Sequence, residues 1–289
     1  MFNKLKTPYL IAEIGINHNG DMDITNKLID ATNATGWDCA KFQKRDPDVC
    51  VPEHQKNIMR ETPWGTMKYI DYKYKLEFQK NEYDIINERC KEKKIDWSAS
   101  VWDYNSLDFL LKNYEDTPFI KIPSAVNGSH DFLIDACKTK KPILVSLGMA
   151  ELTECDKIVD ILKQHSSDFC IMHTNSAYPA PVEQLNLSLI PFFIERYKCP
   201  VGYSGHEMGL EPSVIASVLG ANVIERHVTL DHKMWGSDQE CSLEVHAMDM
   251  LRKRINSARK SIGKPIKTVF EAEAPKIKSL KNDNISRNQ

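Results

Sequence analysis

Eight short runs of apolar and β-branched residues recur along this chain, most of them followed by a stretch with helical spacing. We read strands at Tyr9–Glu13, Cys39–Gln43, Ile95–Ala99, Phe119–Ile122, Pro142–Ser146, Phe169–His173, Pro200–Ser204 and Asn222–His227. Between the first two, Asp23–Thr35 carries Ile24, Leu28, Ile29 and Ala31, then meets Gly36, a residue suited to ending a helix. Asp103 can cap a helix bearing Leu107, Leu110 and Leu111; Glu151–Gln164 and Leu210–Leu219 have similar spacing, the latter closed by Gly220. Alternation of strand and helix over a whole chain requires a parallel sheet, and eight repeats predict closure into an α/β (β/α)8 TIM barrel. The alternative is an open doubly wound sheet. That fold would favour G-x-G-x-x-G after the first strand, and Glu13-Ile14-Gly15-Ile16-Asn17-His18-Asn19-Gly20 has different spacing.

A chain of 289 residues suits one barrel domain, which we place at residues 1–262. From Gly263 to residue 289 the periodicity is lost, and this stretch reads as a tail or linker. Residues 46–81 make a connection longer than ordinary βα loops, rich in Lys and Tyr; such loops are usually functional or interface-forming. A net charge of −2 argues against nucleic acid or an anionic membrane as partner, and no run reaches the roughly 20 apolar residues of a membrane span. The eight cysteines form no C-x2-C pair, which argues against zinc ribbons and redox motifs. With Met1–Lys6 leading directly into the first strand and no signal peptide expected, a cytoplasmic protein is predicted.

In a barrel of this type chemistry collects where the strands end. There this sequence places Glu13, Lys41, Gln43, Ser100, Lys121, Ser124, His173, Ser176, Tyr178, Ser204, His206, Glu225 and His227. Residues two apart on a strand share a face, so Lys41/Gln43, Ser204/His206 and Glu225/His227 are polar pairs on one side. Polar pairs facing a lumen are costly unless partnered, and several at one pole predict a site rather than packing. Lys41 and Lys121 sit among apolar residues, where a buried ammonium needs compensation. An anionic ligand such as a phosphate or carboxylate is the favoured reading. A Lys–Glu ion pair, with Glu13 as a candidate partner, and a Schiff-base role for Lys121 are the alternatives.

His206 and His227 end adjacent strands, so their rings can converge on a divalent metal; spacing alone equally allows two structural histidines. Position assigns His54, His130, His165, His232 and His246 to the surface. His18 falls in the turn after the first strand, where a turn role and a substrate contact are both open.

The segments Ala12–Gly20, Lys41-Phe42-Gln43, Lys121-Ile122-Pro123-Ser124, Ser146–Met149, Tyr178-Pro179-Ala180-Pro181, Gly202-Tyr203-Ser204 with His206, and Ile224–Asp231 resemble the sialic acid synthase family. The likeness runs in order over about residues 7 to 281. It implies condensation of phosphoenolpyruvate with an aldose to give a 2-keto-3-deoxy sugar acid and phosphate. It further implies a divalent metal (Mn²⁺, with Mg²⁺ or Co²⁺ as alternatives) on His206 and His227, activating the aldehyde. Lys41 and Lys121 would hold phosphoenolpyruvate with hydroxyls of Ser100, Ser124 and Ser204, and Glu13 would sit by the attacking water. Gln43, Tyr178 and Asp238 match residues that contact the sugar. A homodimer is implied as well. The same chemistry on another or a phosphorylated aldose, or a non-catalytic binding paralogue, are the rival readings.

Four departures stand out. Ser204-Gly205-His206 replaces the family's Ser-Asp-His, which predicts a missing carboxylate near the metal. Ser124-Ala125-Val126 replaces Ser-Gly-Glu at the sugar end, and Ser176 stands for an Asn at the phosphate site. The family's antifreeze-like domain is not expected after residue 281, which predicts that either the acceptor is not N-acetylmannosamine or residues 46–81 cover the mouth.

Overall fold

The computed structural model describes residues 1–282. Eight parallel strands form the barrel: β1 (Tyr9–Gly15), β2 (Cys39–Lys44), β3 (Asp96–Val101), β4 (Ile120–Ile122), β5 (Ile143–Ser146), β6 (Phe169–Thr174), β7 (Val201–Gly205) and β8 (Val223–Thr229). Each pairs with the next in chain order, and β1 also pairs with β8, which closes the sheet. The expected (β/α)8 barrel is therefore the observed fold. Strand ends differ from expectation by one or two residues.

Alternation along the strands divides the buried residues into two sets. Outward side chains of every strand pack under the helices, where the larger core lies. Inward side chains make a smaller apolar floor from Tyr9, Ile11, Cys39, Leu144, Cys170 and Met172, closed from below by Phe2 and Phe119. The Phe2 and Phe119 rings lie 5.9 Å apart. Above that floor the inward positions turn polar, and the site begins.

Helix starts follow local chemistry. The helix starts at Met22, one residue before the expected Asp23, and Asp21 caps it by accepting from the backbone N–H groups of Asp23 and Ile24. Asp103 caps Tyr104–Asn113 as expected, accepting from the Ser106 N–H at 2.7 Å. The long connection after β2 is structured: short helices Pro47–Cys50 and Glu53–Lys56, a hairpin pairing Met59–Arg60 with Met67–Lys68, and a helix Tyr69–Leu76. It docks on the turn that follows β1. His18 stacks on Phe78 with centroids 4.0 Å apart and accepts from the Gly20 N–H at 3.0 Å, so its role is in the turn.

Gly20 has φ +70°, and a Cβ there would stand 2.3 Å from the Lys75 carbonyl oxygen. Gly20→Ala should therefore cost about 1–3 kcal/mol and loosen the helix Tyr69–Leu76. Urea unfolding and limited proteolysis would check this; an unchanged midpoint with unchanged cleavage would count against the docking role. Helix Val245–Ile262 completes the barrel, and residues 263–282 are exposed, with a short helix Ala274–Leu280. The rest of the expected tail lies outside the described residues.

Candidate active site

The polar residues expected at the strand ends line one cavity of about 180 Å³ at the barrel mouth: Glu13, Lys41, Gln43, Ser100, Lys121, Ser124, Ser176, Tyr178, Ser204, His206 and His227. Larger hollows exist on the surface, but this is where charged groups converge. Asp238 reaches the same mouth from the loop after β8, its Oδ2 3.8 Å from His227 Nδ1. His173 does not join them. It is buried outside the lumen beside Phe193 and Tyr203, its Nε2 2.7 Å from the Leu185 carbonyl.

A chain of opposite charges crosses the lumen. Lys41 Nζ contacts Glu13 Oε2, meets Ser100 Oγ at 2.8 Å and lies 3.6 Å from Glu225 Oε2. Lys121 Nζ lies 3.1 Å and 3.2 Å from the two Glu225 oxygens, and Ser204 Oγ donates to Glu225 Oε1 at 3.2 Å. Glu13 Oε1 accepts from Gln43 Nε2 at 2.9 Å. The Lys–Glu pairing considered from sequence is thus present, and Glu225 is its centre.

Both lysines are 1–2 % exposed. Burial disfavours the Lys41 ammonium, but Glu13 and Glu225 outweigh it and raise its pKa. At Lys121 burial prevails over Glu225 and the pKa is lowered. Glu225 is also buried, yet Lys121 and Lys41 hold its pKa below the usual carboxylate range. Lys121 is the less compensated cation, and an added anion would favour its charge most.

The histidines are arranged differently. His206 Nδ1 lies 2.6 Å from the Asn175 carbonyl, which can only accept, so Nδ1 carries the proton and Nε2 the lone pair. Tyr178 O–H donates to that Nε2 at 3.0 Å and its ring stacks on the imidazole at 4.1 Å. Burial, with His227 nearby, lowers the His206 pKa to about 3, so the ring is neutral at ordinary pH. The two imidazole centroids are 5.5 Å apart, and His227 Nδ1 is buried without a hydrogen-bond partner.

A neutral imidazole oriented through its other nitrogen, beside one with an unused buried nitrogen, fits a divalent ion. Among the described residues no set of three His, Cys, Asp or Glu side chains has metal-holding geometry. Two nitrogens would therefore need oxygens of water or substrate to complete the coordination.

The Gly205 departure has a different meaning from that expected. Ser204 and His206 face the lumen, so residue 205 faces away, toward Arg226. A Cβ on Gly205 would stand 2.6 Å from Glu207 Oε2 and 2.9 Å from Arg226 Cδ. Glu207 and Arg226 are fully buried and paired at 3.0 Å, and Tyr203 O–H donates to Glu207 at 2.7 Å. A carboxylate two residues on, Glu207, pairs with Arg226, and position 205 lies outside the lumen that His206 faces.

Gly148 is confined too. Its N–H donates to Ser124 Oγ at 3.1 Å, and a Cβ would stand 2.3 Å from Ser176 Oγ. Ser124 and Ser176 thus meet over a backbone that only glycine permits, while Ala125 lines the cavity beside them. Gly148→Ala should push the two hydroxyls apart and lower activity about 10- to 100-fold, as small misplacements at a site do. Steady-state kinetics would check it, and unaltered kcat/KM would separate this cluster from the reaction.

Trp102 is a cavity residue that the sequence reading passed over, and Pro123, Ser146 and Met149 entered it only as parts of matched segments. Trp102 follows β3 without any periodic signal, and Met149 stands at φ +61°. Glu225 was visible as the partner of His227 on one strand face, but its link to both lysines depends on barrel closure.

Comparison with known proteins bears on this arrangement. The sequence profile of the NeuB family matches residues 28–267. The chain is 33% identical to N-acetylneuraminate-9-phosphate synthase of Homo sapiens over 268 residues, 92% of this chain and 74% of that one. It is 30% identical to N,N'-diacetyllegionaminic acid synthase of Campylobacter jejuni, covering 98% of this chain and 86% of the relative. The structure superimposes on the sialic acid synthetase of Leptospira borgpetersenii with a TM-score of 0.84 and 27% identity, covering 95% and 91% of the two chains. A profile match across most of the chain and 33% identity over 92% of its length show that the chain belongs to the NeuB family.

Proposed function

We propose that this protein condenses phosphoenolpyruvate with an aldose to give a 2-keto-3-deoxy sugar acid and inorganic phosphate. The observation that carries the reading is the charge chain Glu13–Lys41–Glu225–Lys121 beside two convergent imidazoles at one barrel mouth. Its relatives include synthases of nonulosonic acids.

Phosphoenolpyruvate brings a carboxylate and a phosphate into a lumen with two buried ammonium groups, so Lys121 and Lys41 bind and orient it. Ser100 and Ser204 keep those lysines and Glu225 in register through the hydrogen bonds described above. Ser124 and Ser176 supply hydroxyls beside the cavity. In the reaction, C3 of phosphoenolpyruvate bonds to the aldehyde carbon, water adds at C2, and the C2–O bond to phosphate breaks. Water must lose its proton as it attacks, and the new alkoxide must gain one. Glu13, held by Lys41 and Gln43, accepts the proton from water in this reading.

His206 and His227 would hold a divalent ion, Mn²⁺ first, with Mg²⁺ or Co²⁺ as alternatives. When bound, it supplies Lewis-acid polarisation of the acceptor carbonyl. Tyr178, Gln43 and Asp238 border that end and orient the sugar. Eight free cysteines accord with a reducing compartment, and a cytoplasmic homodimer is our expectation.

Phosphoenolpyruvate consumption should require an aldose, cease in EDTA and return with Mn²⁺. Full turnover in EDTA would remove the metal from the reading. Binding of phosphoenolpyruvate without consumption, across a panel of aldoses, would favour a non-catalytic binding protein.

A further inference from the structure

Arg226 stands between two lumen residues of β8, Glu225 and His227, and therefore points away from the lumen. It is fully buried, as is its partner Glu207. A buried ion pair is a poor source of stability, because well-packed apolar side chains of similar volume often serve as well or better. The other contacts of this guanidinium give the pair a second role.

Nη2 donates to the Glu207 carbonyl at 2.5 Å and to the Cys241 carbonyl at 3.4 Å, and Nη1 donates to the Gly209 carbonyl at 2.9 Å. Glu207 and Gly209 belong to the segment that follows His206, while Cys241 belongs to the loop that carries Asp238. His227 is the next residue on β8. One planar group thus joins the three stretches of backbone on which His206, His227 and Asp238 are mounted. The loop is tied to it closely, since Ser242 Oγ donates to the Asp238 carbonyl at 2.6 Å. Arginine presents its donors in a fixed fork. A lysine would offer a point charge, and an apolar residue would leave the carbonyls of the buried Glu207 and Cys241 without this donor.

The histidines depend on that backbone unequally. His206 is oriented through its ring, by the Asn175 carbonyl at Nδ1 and the Tyr178 hydroxyl at Nε2. His227 Nδ1 has no hydrogen-bond partner, and Asp238 Oδ2 stands 3.8 Å from it. The placement of the His227 ring, and of the carboxylate beside it, is therefore left to the strand and loop that Arg226 joins. Two imidazoles on different strands can share an ion only if both nitrogens come within roughly 2 Å of it, as in zinc sites.

We propose that Arg226 is a positioning residue for the divalent ion: from behind the barrel wall it fixes the segments bearing His206, His227 and Asp238 relative to one another. This rests on the reading of the two histidines as ion ligands. Glu207 neutralises the guanidinium, so that the clasp carries no net charge toward a cation at the mouth.

The test titrates the full chain with Mn²⁺ in the absence of substrates and reads free Mn²⁺ by electron paramagnetic resonance. Arg226→Met combined with Glu207→Leu removes both charges, so neither is left buried alone and the fold should persist. This double variant should bind Mn²⁺ about 10- to 100-fold more weakly, the usual effect of removing a group that orients metal ligands. Arg226→Lys, which keeps the charge without the fork, should fall between it and the wild type, and it carries the comparison if the double variant does not fold. Phosphoenolpyruvate binding in EDTA, measured by calorimetry, should be unchanged in both, because Lys41 and Lys121 are not joined to this clasp. Folded variants that bind Mn²⁺ as tightly as the wild type would overturn the positioning role and leave the ion reading intact. Equal losses of Mn²⁺ and phosphoenolpyruvate binding would overturn it too, by showing a general loosening of the mouth. A wild-type protein that binds no Mn²⁺ would remove the ion reading itself, and this role with it.

Discussion

Glu225→Gln is expected to abolish condensation and to destabilise the fold by about 3–5 kcal/mol, the usual cost of removing one partner from a buried charge pair. The reason lies in the number of charges that meet at this carboxylate. Glu225 faces Lys121 at 3.1 Å and Lys41 at 3.6 Å, and it is buried. With a neutral amide in its place Lys41 keeps Glu13, while Lys121 keeps no carboxylate within ion-pair distance. The lowered pKa of Lys121 predicts how the protein responds: Lys121 loses its proton more readily, and with it the charge that binds phosphoenolpyruvate. A second variant distinguishes structure from chemistry. Glu225→Gln with Lys121→Met removes both partners, so much of the stability should return while activity does not. Urea unfolding and phosphoenolpyruvate consumption read the two effects separately. If the single variant unfolds at the wild-type midpoint, the Glu225–Lys121 pair does not hold the lumen together.

Glu225 also illustrates what a sequence can and cannot disclose. Its place on a strand face with His227 follows from a two-residue period, as do the lumen positions of Lys41, Gln43 and Ser204. The eight strands were legible for the same reason, since each carries an apolar outward set, and their ends shifted only by a residue or two. Which lysine a given glutamate meets is another matter. Lys121 on β4 and Glu225 on β8 are 104 residues apart, and only closure of the barrel brings them together. The hairpin Met59–Arg60/Met67–Lys68 was not legible, because two-residue strands leave no alternation to detect. Nor was the docking of that connection, which sets the Lys75 backbone against Gly20 and the Phe78 ring against His18. The helix after β1 starts at Met22 rather than Asp23 because the Asp21 carboxylate accepts from the Asp23 and Ile24 N–H groups, a backbone geometry that apolar spacing does not fix.

Gly205 leads to the second large effect, because residue 205 and Glu207 share one space beside Arg226, which makes an exchange of carboxylate position testable. Glu207→Ala should cost about 3–5 kcal/mol by leaving the Arg226 guanidinium buried without a counter-charge. Arg226 would keep the Gly209 carbonyl at 2.9 Å and Ser213 Oγ at 3.0 Å, neither of them charged. Gly205→Asp alone should cost about 1–3 kcal/mol, since its side chain would meet the Glu207 carboxylate and the Tyr203 ring. Together the two changes should be less harmful than their sum, with a coupling of about 0.5–3 kcal/mol, because the aspartate then stands where it can pair with Arg226. A double-mutant cycle in urea measures that coupling directly. Strict additivity would mean that residue 205 cannot reach Arg226, and the exchange would fail as an explanation. The functional reading has its own test in the same protein. Position 205 faces away from the mouth, so the aspartate should not alter the Mn²⁺ requirement of the double variant. A tighter requirement would place residue 205 at the ion, with Glu207 then explaining only the stability of Arg226.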